Sequence, residues 1–220
     1  MQHRMPAIPA VAAALSFVVA TLPVNAAADD DPWEVRLSAV SMHLSGSRVE
    51  VPGAEELYSY IGSNGAGFAI DFEYRATKLL GIDFGLITAS PSIGVEVFAA
   101  PLTFSASADL TITPIYVGAN FHLLPEGRFD LYVGPVVAYV FHQSFDLVAG
   151  LGLRESFSAE NRVGVGAALG VDIALGGGRW SLTTAVRYLD TSLDASPTGG
   201  RSGSADINPT IFSLGFGYRF

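Results

Sequence analysis

The chain has 220 residues, no cysteine, 24 glycines and a hydrophobic fraction of 50%, with charged residues at only 15%. That is greasier and poorer in charge than a soluble domain of this size, and a formal charge of −9 argues against nucleic acid and against a polybasic membrane-surface patch. After the first thirty residues no run approaches the ~20 apolar residues of a membrane-crossing helix, which leaves a closed β-barrel as the way for such a chain to satisfy its backbone in lipid.

The amino terminus reads as a secretory signal over residues 1–28. Met1-Gln2-His3-Arg4 is a short basic start, residues 10–20 are apolar, and Ala26-Ala27-Ala28 is a small-residue cleavage site. A membrane anchor is the alternative, and Pro6, Pro9, Pro23 and the acidic run Asp29-Asp30-Asp31 argue against it. Cleavage would remove Arg4 and no acid, so 12 basic residues become 11 against 21 acidic ones. Residues 29–220 are expected to form one outer-membrane barrel domain. The absence of cysteine fits a chain that crosses an oxidising compartment unfolded.

Eight alternating segments follow. Residues 33–44 put Trp33, Val35, Leu37 and Ala39 on one face. Residues 67–77 carry Phe68, Ile70, Phe72 and Tyr74, and residues 79–88 carry Leu80, Ile82, Phe84 and Leu86. Residues 110–123 carry Ile115, Val117, Ala119 and Phe121, and residues 129–142 carry Phe129, Leu131, Val133, Val137, Tyr139 and Phe141. Residues 162–175 carry Val163, Val165, Leu169 and Val171, and residues 180–189 carry Trp180, Leu182, Val186 and Tyr188. The last, 206–220, alternates Phe212, Leu214, Phe216, Tyr218 and Phe220 with Ser213, Gly215, Gly217 and Arg219. A period of two with one apolar face is a strand, and a greasy outside over a polar inside is the pattern of an outer-membrane barrel.

The connections alternate short and long. Thr77-Lys78, Pro125-Glu126-Gly127-Arg128 and Gly176-Gly177-Gly178-Arg179 are tight-turn chemistries. Short turns belong on the periplasmic side and long loops outside, and an even strand count places both termini in the periplasm. The expected fold is all-β: an eight-stranded antiparallel transmembrane β-barrel. A soluble sandwich or lipocalin-type barrel is the runner-up, and the small inward residues Gly164, Gly166, Ala168 and Gly170 would leave its core hollow.

The inward faces hold nearly all the strand charges: Glu34, Arg36, Asp71, Glu73, Arg75, Asp83, Asp172, Arg187 and Arg219. Opposite signs in a narrow lumen favour a paired charge plug over a polar pore, because a lone buried charge is costly. One face departs from this rule. Leu110, Ile112, Pro114 and Tyr116 point inward at the loop end and would line an apolar vestibule, unless a register bulge at Pro114 intervenes. The apolar stretch 145–153, after the fifth segment, is either a short helix over the mouth or packing against the rim. Gly164 to Gly170 superficially resembles a dinucleotide loop, but its glycines share one strand face and no helix follows. His43, His122 and His142 fall on different strands without metal spacing. No cofactor, metal ligand set or catalytic constellation is expected, and the reading is not an enzyme.

In order along the chain, several pieces resemble the outer-membrane protein W (OmpW) family of small eight-stranded barrels. They are Trp33-Glu34-Val35-Arg36-Leu37, Ala76 to Asp83 around the first short turn, and Ala108 to Pro114. Gly170-Val171-Asp172, Arg179-Trp180 and Val186 to Asp190 follow, then Asp206-Ile207-Asn208-Pro209 and Gly217-Tyr218-Arg219-Phe220. The resemblance implies a narrow apolar channel for small hydrophobic molecules, with lateral release through the barrel wall. Many members carry a Trp before the glycine that opens strand six; Arg162-Val163-Gly164 stands here instead, so no gating role is carried over.

The primary functional reading is passive uptake of small hydrophobic solutes, leaving through the wall near Pro114 or Pro135. A structural or surface-interaction barrel with a plugged lumen, and a narrow ion-conducting pore, are the alternatives. Expected partners are outer-membrane lipids and lipopolysaccharide, small hydrophobic solutes, and the barrel-assembly machinery reading Phe216, Tyr218 and Phe220.

Overall fold

The computed structural model describes residues 31–45, 64–99, 102–149, 154–176, 179–197 and 203–220. The signal segment 1–28 and residues 151–153 lie outside the described residues. Thirteen strands occur in chain order: β1 (Trp33–His43), β2 (Asn64–Arg75), β3 (Leu80–Ala99), β4 (Leu102–Asp109), β5 (Ile112–His122), β6 (Phe129–His142), β7 (Phe145–Ala149), β8 (Arg154–Ala159), β9 (Arg162–Ala174), β10 (Trp180–Asp190), β11 (Ser192–Pro197), β12 (Gly203–Asp206) and β13 (Thr210–Arg219). Eight of them close a barrel in the order β1-β2-β3-β5-β6-β9-β10-β13, with β13 pairing back to β1 and every pairing antiparallel.

Alternation drives this closure. Along β1 and β13 every second residue is buried, and Leu37, Phe68, Leu214 and Phe216 each leave more than half of their surface exposed on the outside. A band of exposed Leu, Phe and Val belongs in hydrocarbon rather than water. Aromatic pairs edge it: Trp33–Tyr74 at 4.9 Å and Trp180–Tyr218 at 5.0 Å near the short turns, and Tyr139–Phe141 at 4.8 Å near the other end. On β6 the rows from Phe129 to Phe141 cover about 30 Å at ~3.3 Å per residue and ~40° of tilt, enough to span the apolar band.

The two ends differ. Residues 76–79 and 123–128 make two short turns, and Leu175 and Gly176 lead from β9 into the third; Gly127 and Gly176 take positive φ of 144° and 64°. Glycine is required there because a Cβ would strain the backbone. The other end carries β-structure where long loops were expected. The third strand does not stop at Thr88 but continues to Ala99, and with β4, β7, β8, β11 and β12 builds a rim sheet in that order. Phe145–Ala149 is strand β7, paired with β8, so the alternative of a helix there is set aside for these residues. The eighth segment is likewise split: β12 ends at Asp206, Asn208 takes a φ of 30° and accepts a hydrogen bond from the Thr191 amide at 3.0 Å, and β13 starts at Thr210.

Candidate functional site: a two-layered barrel interior

The interior is filled, in two layers. Toward the short turns lies a charged layer to which all eight barrel strands contribute. Arg36 of β1 is its hub, donating to Glu73 at 2.9 Å, Asp172 at 2.7 Å and Glu34 at 3.2 Å. The guanidinium also stacks 5.3 Å from the centre of the Tyr132 ring. Arg75 joins Asp130, with its Nε 3.1 Å from Glu73. Arg219 donates to Glu34 at 3.2 Å and to Asp130 at 3.4 Å. Ser181 adds a hydrogen bond to Glu34 at 3.0 Å, and Asn120 one to Glu73 at 2.8 Å.

Halfway up the barrel the pattern changes. Arg187 of β10 stands 3.4 Å from Asp71 and 3.5 Å from Asp83, and its guanidinium lies 4.8 Å from the Tyr116 ring centre. The Tyr116 hydroxyl donates to Asp71 and lies 3.3 Å from Asp83. The expected members of the plug thus form two groups, Arg36, Glu73, Arg75, Asp172 and Arg219 toward the turns and Asp71, Asp83 and Arg187 above them. All but Arg219 are essentially inaccessible, and Arg219 is about a third exposed.

Above this layer the interior is apolar. Met42, Leu44, Ile87, Leu110, Ile112, Val140, Leu189, Ile207 and Ile211 are fully buried in one cluster. Leu110, Ile112, Pro114 and Tyr116 all face inward. The strand register around Pro114 is continuous on both sides, so no bulge reverses them. Leu110, Ile112 and Tyr116 lie in a packed core, a tighter arrangement than the open vestibule expected of them. Tyr116 belongs to both layers, with its ring among apolar neighbours and its hydroxyl on the carboxylates.

Four residues of the charged layer escaped the sequence reading as members of it: Asp130, Asn120, Tyr132 and Ser181. Asp130 sits between Phe129 and Leu131, so the same alternation marks it as inward. His122, which lacks metal spacing in the sequence, lies with Nδ1 3.0 Å from Asp130 and Nε2 2.8 Å from Glu73. His142 is buried at the rim against the Glu160 carbonyl at 2.9 Å, while His43 is exposed and bonded to Asn64 at 2.8 Å. Arg162, of the Arg162-Val163 pair that stands where the resemblance leads one to expect Trp, pairs with Asp194. The glycine run of β9 has a spatial cause: a Cβ at Gly170 would come within 2.2 Å of the Tyr132 ring, the ring on which Arg36 stacks.

The wall carries two interruptions. Between β3 and β5 pairing lapses at Ile87 and Thr88, opposite Pro114 and Thr113. Proline has no amide hydrogen to give the ladder. Side chains bridge the seam on its outer face instead, Thr113 donating to Thr88 at 3.1 Å and Ser90 meeting Thr111 at 3.2 Å. Between β5 and β6 pairing lapses at Ala119 and Asn120, opposite Gly134 and Pro135. Just below the first seam an apolar groove of about 360 Å³ runs along the lipid face, lined by Phe72, Phe84, Leu86, Ile115, Val137 and Tyr139 among others.

Solved structures share this fold, three of them as follows. The outer membrane protein OprG from Pseudomonas aeruginosa matches with a TM-score of 0.67 at 18% identity, covering 88% of this chain and 97% of that one. The outer membrane protein AlkL in lipid bilayers matches at 0.59 with 20% identity, covering 100% and 97%. The Neisserial surface protein NspA matches at 0.54 with 16% identity, covering 86% and 97%. No curated protein matches the chain by sequence. The family model described as the OmpW family matches residues 36–220, nearly the whole barrel and its rim. Closed barrel, lipid-facing apolar band and family match agree: the chain belongs to the OmpW family and is an outer-membrane β-barrel.

Proposed function

We propose that this barrel admits small hydrophobic molecules from the outer face and releases them sideways into the membrane, without passage into the periplasm. The observation that carries the reading is the β3–β5 seam. There the ladder lapses at Pro114, apolar interior lies on one side and an apolar groove on the other. The charged layer beneath supports the sideways route. A hydrophobic solute crossing it would have to part ion pairs in a dry interior, which costs several kcal/mol per exposed charge. The short turns lie in the periplasm with both termini, the rim sheet stands outside, and the first 28 residues are a cleaved export signal. Phe216, Tyr218 and Phe220 form the strand end that the assembly machinery reads.

A second reading is favoured by the packing of the apolar layer: a barrel whose lumen stays shut and whose rim sheet meets a partner. Uptake separates the two. Intact cells with and without the protein are given a small aromatic tracer, with the lipopolysaccharide barrier kept whole. Faster uptake with the protein, slowed in a folded Ile112→Trp variant, supports the conduit. Equal uptake at confirmed surface expression supports the closed barrel.

A further inference from the structure

The charged layer does not balance. Six carboxylates are buried in it, on Glu34, Asp71, Glu73, Asp83, Asp130 and Asp172. Four guanidiniums face them, on Arg36, Arg75, Arg187 and Arg219. Two negative charges are left over in an interior with little water to solvate them, an arrangement that is not tolerated without compensation.

The geometry identifies where compensation occurs. His122 lies with carboxylate oxygens at both ring nitrogens, Asp130 at 3.0 Å from Nδ1 and Glu73 at 2.8 Å from Nε2. The Glu73 contact is close enough for an ion pair although poorly aligned as a hydrogen bond. A neutral imidazole has one N–H and would turn its lone pair on one of these oxygens; only the imidazolium suits both. Arg75 from β2 and Tyr132 from β6 complete the surroundings of this ring.

The second place is the middle of the barrel. Asp71, Asp83 and Tyr116 converge with a single hydroxyl hydrogen among them, which Tyr116 gives to Asp71. Arg187 of β10 is the cation in contact with both acids, and Arg36 and Glu73 flank them. Asp83 keeps one oxygen, Oδ1, buried without a partner. An unpartnered carbonyl oxygen of a carboxylic acid is far cheaper there than an unpartnered carboxylate. A hydrogen on Asp83 Oδ2 also gives the Tyr116 oxygen a donor.

We infer that the plug is a two-proton binding site, with one proton held on His122 and one on Asp83, and that these protons make it electrically neutral. This inference stands apart from hydrophobic uptake, since it concerns only the assembly of the charged layer. Its consequence is a plug that weakens in alkali. As pH rises past ~6 an unfolded chain gives up both protons, because free aspartate loses its own near ~4 and histidine near ~6.5. Unfolding therefore releases both, and stability falls as pH rises.

The test is reversible urea unfolding of the purified barrel in phosphatidylcholine vesicles, with nitrogen NMR of His122 in the folded protein. The folding equilibrium constant is expected to fall as pH rises above ~6, by at most about tenfold per pH unit for each proton that the folded plug holds and the unfolded chain has lost. Asp83→Asn and His122→Gln should each reduce the slope, and Glu126→Gln at an exposed turn should leave it unchanged. Both His122 ring nitrogens should carry hydrogen at pH ~8, where a free imidazole is mostly neutral. A bare ring nitrogen at that pH overturns the inference. So does a flat pH profile with stability that rises on adding sodium or potassium, which would make a metal cation the neutralising species. Where a variant does not fold, the slope and nitrogen spectrum of the unaltered protein decide the matter.

Discussion

The two halves of the barrel interior are both filled and both hidden from water, yet they are held by opposite physics. The turn half is a lattice of directed contacts in which each guanidinium answers two or three carboxylates. The loop half is a packed apolar cluster without specific partners, with Met42, Leu44 and Ile207 among its fully buried members. A charged lattice fails when one member is lost, because its partners are stranded. An apolar cluster can rearrange around a guest at the cost of packing alone. That difference makes the first half suited to be a floor and the second to be a passage.

The sharpest break in the comparison is Arg36→Met. It takes one cation from Glu34 and Glu73 and leaves Asp172 without an ion-pair partner among the described residues, and losing one partner of a buried ion pair costs about 3–5 kcal/mol. Urea unfolding in vesicles measures it. Leu110→Ala in the other half is expected to cost about 2–5 kcal/mol, the usual range for a truncated core leucine. The two should differ in consequence: Leu110→Ala leaves space in the apolar layer and should speed entry of a small aromatic tracer, whereas Arg36→Met should not. Gly170→Ala pushes Tyr132 off the Arg36 guanidinium and should destabilise by about 1–3 kcal/mol, the range for overpacking.

The smallest effect belongs to the exposed Lys78–Glu126 pair, which joins two short turns at 2.9 Å. The Lys78 ammonium, by hydrogen bond and charge, holds the Glu126 carboxyl below its ordinary range. Lys78→Ala should return that carboxyl to normal in an NMR titration. Whatever stability the pair adds is present above the carboxyl's unfolded value and fades as pH falls through the folded one, and salt should screen it. The unfolding midpoint at neutral pH should not move measurably.

The barrel strands were legible because lipid enforces alternation on every one of them, and a one-residue slip would turn a whole face around. Inward placement of Asp71, Asp83 and Arg187 follows from the same rule. Which acid meets which arginine does not, since that depends on the stagger of eight strands brought together in space. Arg36 and Asp172 are neighbours although 136 residues separate them. The rim escaped for a different reason. Pro91 reads as a strand breaker, yet it sits within β3 opposite Gly65, and its carbonyl accepts the Leu110 amide at 2.9 Å. Strand β4, Leu-Thr-Phe-Ser-Ala-Ser-Ala-Asp, is rich in small and polar residues, so its pairing with β3 supplies what its own pattern lacks.

The most direct test of the lateral route is to staple the seam. The chain has no cysteine, so Thr88→Cys combined with Thr113→Cys introduces the only two thiols, at positions whose hydroxyls lie 3.1 Å apart. Tracer uptake by intact cells is then measured with the pair oxidised and again after reduction. A wall that opens between β3 and β5 predicts slow uptake when the disulfide is closed and recovery when it is reduced. Equal uptake in the two states, with the disulfide verified, would contradict release through this seam.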